Sequence, residues 1–252
     1  ARPQGMPIDM LVLHYTGMPT GEDALARLTD IEHEVSAHYL IEEDGRIFCL
    51  VAEAHRAWHA GTSYWRGHKG LNARSIGIEL VNPGHDFGYR AFPEQQMVAL
   101  EELAIDILTR HPIPSRNVVG HSDIAPTRKN DPGELFDWRS LAHRGIGMWP
   151  KRAEAGPRNV MDALKTVGYE TLDYSRALAA FQRHFRPGEV QGIADGEVAK
   201  GIKAYNPIIS GQLSRDEIEL SSKDNNRPLK IKSTDIEIAS SEKKIKKYIP
   251  LS

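Results

Sequence analysis

Three short apolar runs each lead to an ionisable side chain, and this pattern constrains the fold more than any other feature. Met10-Leu-Val-Leu-His14 is a strand-length aliphatic run closing on histidine, which reads as a buried strand delivering His14 at its carboxyl end. Ser75-Ile-Gly-Ile-Glu-Leu-Val81 alternates small or polar with aliphatic residues, so Glu79 lies on the face opposite Ile78 and Leu80. Val118-Val119-Gly120 is a brief strand leading to His121. Ser36 to Glu42 and Arg46 to Val51 read as two further strands, and Asp44-Gly45 between them suits a type I′ hairpin turn.

Helical spacing separates these strands. Met97, Leu100, Ala104, Ile107 and Leu108 predict a helix over Pro93 to Arg110, with proline in its first turn and Pro112 as its stop. A second helix is expected near Glu134 to Arg144, ended by Gly145. Strands and helices interleaved in this way give an α/β fold, a mixed central sheet flanked by helices.

A length of 252 residues favours one large domain accompanied by a small one. The interleaved strand and helix pattern fills residues 1–150. Lys151 to Pro157 reads as a linker, and residues 157–205 become helical through Val160, Met161, Leu164, Leu178, Phe181 and Phe185. This is a small C-terminal helical domain. Residues 206–252 form a polar, lysine-rich tail whose apolar pairs are too sparse to order it alone. Within it, Lys243, Lys244, Lys246 and Lys247 read as a solvated chain end.

Charge and cysteine content exclude several classes. Thirty-two basic against thirty-four acidic side chains leave a net charge of −2, which argues against bulk charge driving nucleic-acid binding. No run approaches the roughly 18–20 apolar residues of a membrane-spanning helix. The single Cys49 rules out an internal disulfide and a thiolate zinc cage. Its place in Ile47-Phe-Cys-Leu-Val51 suits a buried, inert thiol better than a nucleophile. The chain opens at Ala1, so a leader could precede it, and either cytoplasm or periplasm is open.

Ten of eleven histidines precede residue 144, so imidazole chemistry belongs to the N-terminal part. A catalytic zinc takes three protein ligands from His, Asp and Glu and keeps a fourth position for water. His14, His121 and the loop residue Asp131 could supply two imidazoles and a carboxylate, although only folding could gather them. The rival reading makes each strand-end histidine a satisfied structural group. A second rival pairs His55 with His59, four apart, should that segment be helical.

Five segments carry a family resemblance. Val12-Leu-His14-Tyr-Thr, Ala57-Trp-His-Ala-Gly61, Ser75-Ile-Gly-Ile-Glu79-Leu, Gly120-His-Ser-Asp-Ile-Ala-Pro126 and Arg128-Lys-Asn-Asp131-Pro-Gly occur in this order. Together they resemble the zinc N-acetylmuramoyl-L-alanine amidases, the amidase-2 group that includes the animal peptidoglycan recognition proteins. The resemblance implies one Zn2+ ion held by His14, His121 and Asp131. It further implies Glu79 as the catalytic general base and then acid, and Lys129 as an oxyanion stabiliser. Trp58 and His59 would border the substrate groove, with Asn72 and Arg74 on the substrate side or fixing a loop. Arg74 would meet a stem-peptide carboxylate or a structural acid.

The implied partner is peptidoglycan or a muropeptide, possibly a 1,6-anhydro form, and the implied reaction cuts the lactyl–L-alanine amide. A recognition module that binds the same glycan-peptide without cutting it is the alternative. Ala177-Leu-Ala-Ala-Phe-Gln-Arg-His-Phe-Arg-Pro187 and Gln191-Gly-Ile-Ala-Asp195 resemble the small peptidoglycan-binding domain that follows some amidases. Glu197-Val198 replaces the usual threonine there, so a packing role without ligand is the competing reading. Oligomeric state is left open by the sequence.

Overall fold

The computed structural model describes residues 1–150, 159–209 and 236–238. Eight strands are present among them: β1 (Met10–Tyr15), β2 (Tyr39–Ile41), β3 (Ile47–Cys49), β4 (Tyr64–Trp65), β5 (His68–Lys69), β6 (Ser75–Leu80), β7 (Val118–Gly120) and β8 (Ile236–Ile238). Six form one mixed sheet in the order β7-β1-β6-β2-β3-β8, and β4 and β5 make a separate ribbon. The neighbours β7, β1 and β6 all run parallel, with Leu13 opposite Gly120 and His14 opposite Glu79.

The helices are α1 (Gly21–Thr29), α2 (Gly84–Phe87), α3 (Glu94–Arg110), α4 (His121–Ile124), α5 (Trp138–His143), α6 (Val160–Val167), α7 (Tyr174–Phe185) and α8 (Gly196–Ile209). Strand alternation divides the core between the two sheet faces. Leu11, Leu13, Ile76 and Ile78 pack with Leu100, Leu103, Ala104 and Ile107 of α3. Each such fully buried aliphatic side chain contributes about 1.5–3 kcal/mol relative to exposure. Met10, Val12 and Val119 turn to the other face and share one cluster with Ala163, Leu164, Val167, Leu178, Phe181 and Ile202 of α6–α8. The C-terminal helices therefore continue the core of the sheet across the sequence linker. His14 has the parity of Met10 and Val12, which brings it out on this second face at the strand's carboxyl end.

Local chemistry corrects some expected boundaries. The hairpin between β2 and β3 is not type I′, since Gly45 is left-handed at φ 87° while Asp44 is not among the positive-φ residues. The Gly45 N–H donates to the Glu42 carbonyl at 2.9 Å and the Glu42 N–H to the Arg46 carbonyl at 2.8 Å. This is a type I turn closed by a bulge glycine, stabilised by the Asp44 carboxylate bonding the Arg46 N–H at 3.1 Å. The helix expected from Glu134 begins only at Trp138, because Asp137 caps it by accepting the Ser140 N–H. The linker at 151–157 lies outside the described residues, as does the tail except for 206–209 and 236–238. Among the described residues no helix is long and apolar enough to cross a membrane.

Candidate metal centre and groove

Parallel strands present their carboxyl ends in one row, the usual place for ligands in such sheets. Here the row carries His121 just after β7, His14 on β1 and Glu79 on β6. Asp131 reaches it from the following loop, whose backbone is pinned where the Ser122 N–H donates to the Asp131 carbonyl at 2.8 Å. His14 Nδ1 lies 3.0 Å from both His121 Nδ1 and Asp131 Oδ2, and His121 Nδ1 lies 3.1 Å from the same carboxylate oxygen. All three side chains are buried. Among the described residues they are the one group of three His, Cys, Asp or Glu that could hold a metal ion.

The bonds made by the outer nitrogens test whether a cation fits. The Leu71 carbonyl can only accept, so the Ser75 hydroxyl donates to it at 2.8 Å. Ser75 Oγ then accepts from His59 Nε2 at 3.1 Å, and His59 Nδ1 accepts from His14 Nε2 at 3.0 Å. That chain leaves the lone pair of His14 Nδ1 aimed at the centre. His121 is set the same way, its Nε2 donating to the Ala60 carbonyl at 3.1 Å. Two imidazole lone pairs and a carboxylate oxygen thus converge, and the donor set suits a divalent cation.

Protonation agrees with this. Burial and the neighbouring His121 push His14 down to about 4, against the pull of Asp131, so its imidazole is neutral near pH 7. Burial would raise Asp131, but the two imidazoles outweigh it and hold the carboxyl well below its usual range. Glu79 behaves oppositely: burial, reinforced by Asp131 and opposed by Lys129, lifts it well above the ordinary glutamate value. Its Oε2 is buried without a hydrogen-bond partner among the described residues. Such an orphaned acceptor is costly unless it has a functional reason.

A groove of about 380 Å³ opens over this centre, with Tyr15, Arg27, Trp58, His85, Glu79, Arg128 and Lys129 among its walls. Trp58 is half exposed, with the Arg56 guanidinium 4.4 Å from its ring centroid. The other three expected groove contacts are placed differently. His59 touches the groove wall but is 8% exposed and spends its ring nitrogens on His14 and Ser75, so it supports the ligand from beneath. Asn72 Oδ1 accepts the His59 and Ala60 N–H groups at 3.1 and 2.7 Å, fixing that loop. Arg74 forks onto Asp9, with Nε to Oδ1 at 2.8 Å, and neither residue lines the groove. In the structure Asn72 Oδ1 and the Arg74 guanidinium make the loop-fixing and salt-bridge contacts of their structural readings.

The rivals fall away on geometry. The segment holding His55 and His59 is not helical, and His59 turns to His14. Cys49 is half-buried on β3, where burial and then Glu53 raise its thiol pKa. Sequence reading passed over α1, which contributes Arg27 and Leu28 to the groove. Its signal was present as Thr20-Gly-Glu-Asp23, a capping pair in which the Asp23 N–H donates to Thr20 Oγ1 at 3.1 Å.

An α/β scaffold with a His-His-Asp donor set at parallel strand ends provides a site that could hold a divalent metal ion. Residues 4–134 match the N-acetylmuramoyl-L-alanine amidase family. The chain is 41% identical over 221 residues to the N-acetylmuramoyl-L-alanine amidase AmiD of Escherichia coli K12, covering 75% of this chain and 79% of AmiD. Its fold is similar to the solved complex of E. coli AmiD with anhydro-N-acetylmuramic acid-L-Ala-D-γ-Glu-L-Lys, at TM-score 0.71 and 39% identity over 81% of this chain and 91% of that one. It is likewise similar to AmpDh3 of Pseudomonas aeruginosa in complex with anhydromuramic pentapeptide, at TM-score 0.74 and 37% identity over 82% and 94% of the two chains. The chain belongs to the N-acetylmuramoyl-L-alanine amidase family. Residues 188–252 separately match a family described as transcriptional cell cycle regulator TrcR.

Proposed function

We propose that this protein is a zinc amidase that hydrolyses the bond between the lactyl group of N-acetylmuramic acid and the L-alanine of the stem peptide. Its substrates are peptidoglycan or muropeptides, 1,6-anhydro forms included. One observation carries the reading: three metal donors converge beside a buried carboxyl, Glu79, whose Oε2 has no partner among the described residues. The muropeptide-type ligands bound by the similar AmiD and AmpDh3 structures support the substrate class.

His14, His121 and Asp131 would hold a single zinc ion. When bound, zinc supplies a Lewis acid that brings the pKa of water from about 15.7 to around 7. Glu79, raised by burial, accepts the proton of the attacking water and returns it to the leaving amine of L-alanine. The Lys129 ammonium, in the groove wall, stabilises the negative charge that develops on the lactyl carbonyl oxygen. Trp58 offers its exposed indole face to sugar or peptide. Retention of the full donor set with Glu79 and Lys129 weighs against recognition without cleavage.

The test is metal analysis of the purified chain together with release of free stem peptide from anhydro and reduced muropeptides and intact sacculi. Chelation should abolish release and zinc should restore it. Binding that persists in chelator, with no peptide released at any zinc level, would refute the catalytic reading.

A further inference from the structure

Of the two buried aspartates among the described residues, Asp131 belongs to the metal centre and Asp123 does not. Asp123 Oδ2 accepts the Gly120 backbone N–H at 2.7 Å. Gly120 ends β7, and His121 follows it directly as the first residue of α4. One carboxylate thus holds the Val119–Gly120 peptide, one residue before a proposed metal ligand. Its other donors come from far along the chain: the Tyr169 hydroxyl bonds Oδ1 at 2.5 Å and His184 Nδ1 bonds Oδ2 at 2.7 Å.

Both donors are themselves fixed. The His184 ring stacks on Trp138 and Phe185, with centroids 3.8 and 3.9 Å away. Tyr169 is buried edge-on to Trp65 at 5.1 Å and packs near Phe181. His121 is therefore located from two sides, its ring by the Ala60 carbonyl and the backbone immediately before it by Asp123.

We propose that Tyr169, in the connection just after α6, and His184, on α7, are positioning residues of the metal centre that act through Asp123 to set the place of His121. These helices then form part of the catalytic unit, an assignment that rests on the amidase reading above. Outer partners of metal ligands change metal affinity by about 10–100-fold when removed, and a partner acting through backbone belongs at the low end.

The test uses the full chain with Tyr169→Phe, His184→Leu and His184→Asn, measured well below each variant's unfolding temperature. Zinc affinity is read by competition with a chelator, and kcat and KM on an anhydro-muropeptide. Tyr169→Phe and His184→Leu should each weaken zinc binding by about 10-fold and lower kcat at saturating zinc, with KM unchanged. His184→Asn, whose amide N–H can stand in for Nδ1–H, should recover most of both. Folded variants with wild-type zinc affinity and kcat, changed only in melting temperature, would overturn the proposal. Tyr169→Phe removes a single hydroxyl, so it decides the matter should His184→Leu fail to fold. Failure of the wild-type chain to release peptide would count against the amidase reading, and the variants' zinc affinities would still judge the positioning role.

Discussion

Gly77→Ala probes the support beneath His14 with the smallest possible addition. Gly77 sits in β6 opposite Val12, and a Cβ there would stand 2.4 Å from His59 Cγ and 2.6 Å from Cδ2 and Nδ1. Carbon atoms in contact prefer about 3.5–4.0 Å, so the ring must retreat by about 1 Å or more. It has little room. His14 Nε2 and Ser75 Oγ hold its two nitrogens at 3.0 and 3.1 Å, and Asn72 holds its backbone N–H. Overpacking of this kind costs about 1–3 kcal/mol, which for a chain of this size lowers Tm by about 2–12 °C. The lost bond to His14 should weaken zinc binding by about 10–100-fold. Thermal unfolding and chelator competition measure the two effects. On a His59→Ala background the added methyl meets a cavity, so its cost in Tm should vanish, giving a strongly non-additive double-mutant cycle. An equal cost on both backgrounds, or wild-type zinc affinity in Gly77→Ala, would refute the support argued for His59.

Glu79→Ala should retain zinc and lose about a hundred- to ten-thousand-fold in kcat; zinc loss in that variant would instead make Glu79 a ligand. Trp58→Ala should raise KM a few-fold with kcat nearly constant, matching about 1 kcal/mol for an aromatic contact, as steady-state kinetics would read. Glu53 supplies a pH test: burial would raise it, but bonds from Arg110, His111 and Tyr39 outweigh this and hold it below 4.5. The stability it contributes is present above that value and lost as pH falls through its folded pKa. Denaturation between acidic and neutral pH should therefore show a shallower acid limb in Glu53→Gln, and a steeper one would contradict the sign.

The strand ends were legible because each is a local pattern: a few aliphatic residues, then His14, Glu79 or His121. Asp131 lies in a loop with no period to read; its donor chemistry made it a candidate beside the two histidines, and the resemblance set it apart from the other loop acids. What the sequence could not disclose is where a polar group spends its bonds. His59 and Asn72 sit in one family-like neighbourhood, yet one braces a ligand and the other ties a loop. Asp123 meets partners 46 and 61 residues away, and pairings at that range leave no trace in spacing. The helix α1 was missed although Ala24, Leu25 and Leu28 keep helical spacing, because nine residues give a short pattern; packing of Ala24 with Leu40 and Phe48 secures it.

The cluster joining Met10, Val12 and Val119 to α6–α8 also bears on how the molecule can be divided. A fragment ending at residue 150 would uncover the part of this cluster that α6–α8 now close and leave greasy side chains facing water. Such a piece should self-associate more readily than the full chain, as sedimentation would show. Engineers wishing to shorten the protein would have to repaint that surface with hydrophilic residues, and evolution would have met the same demand.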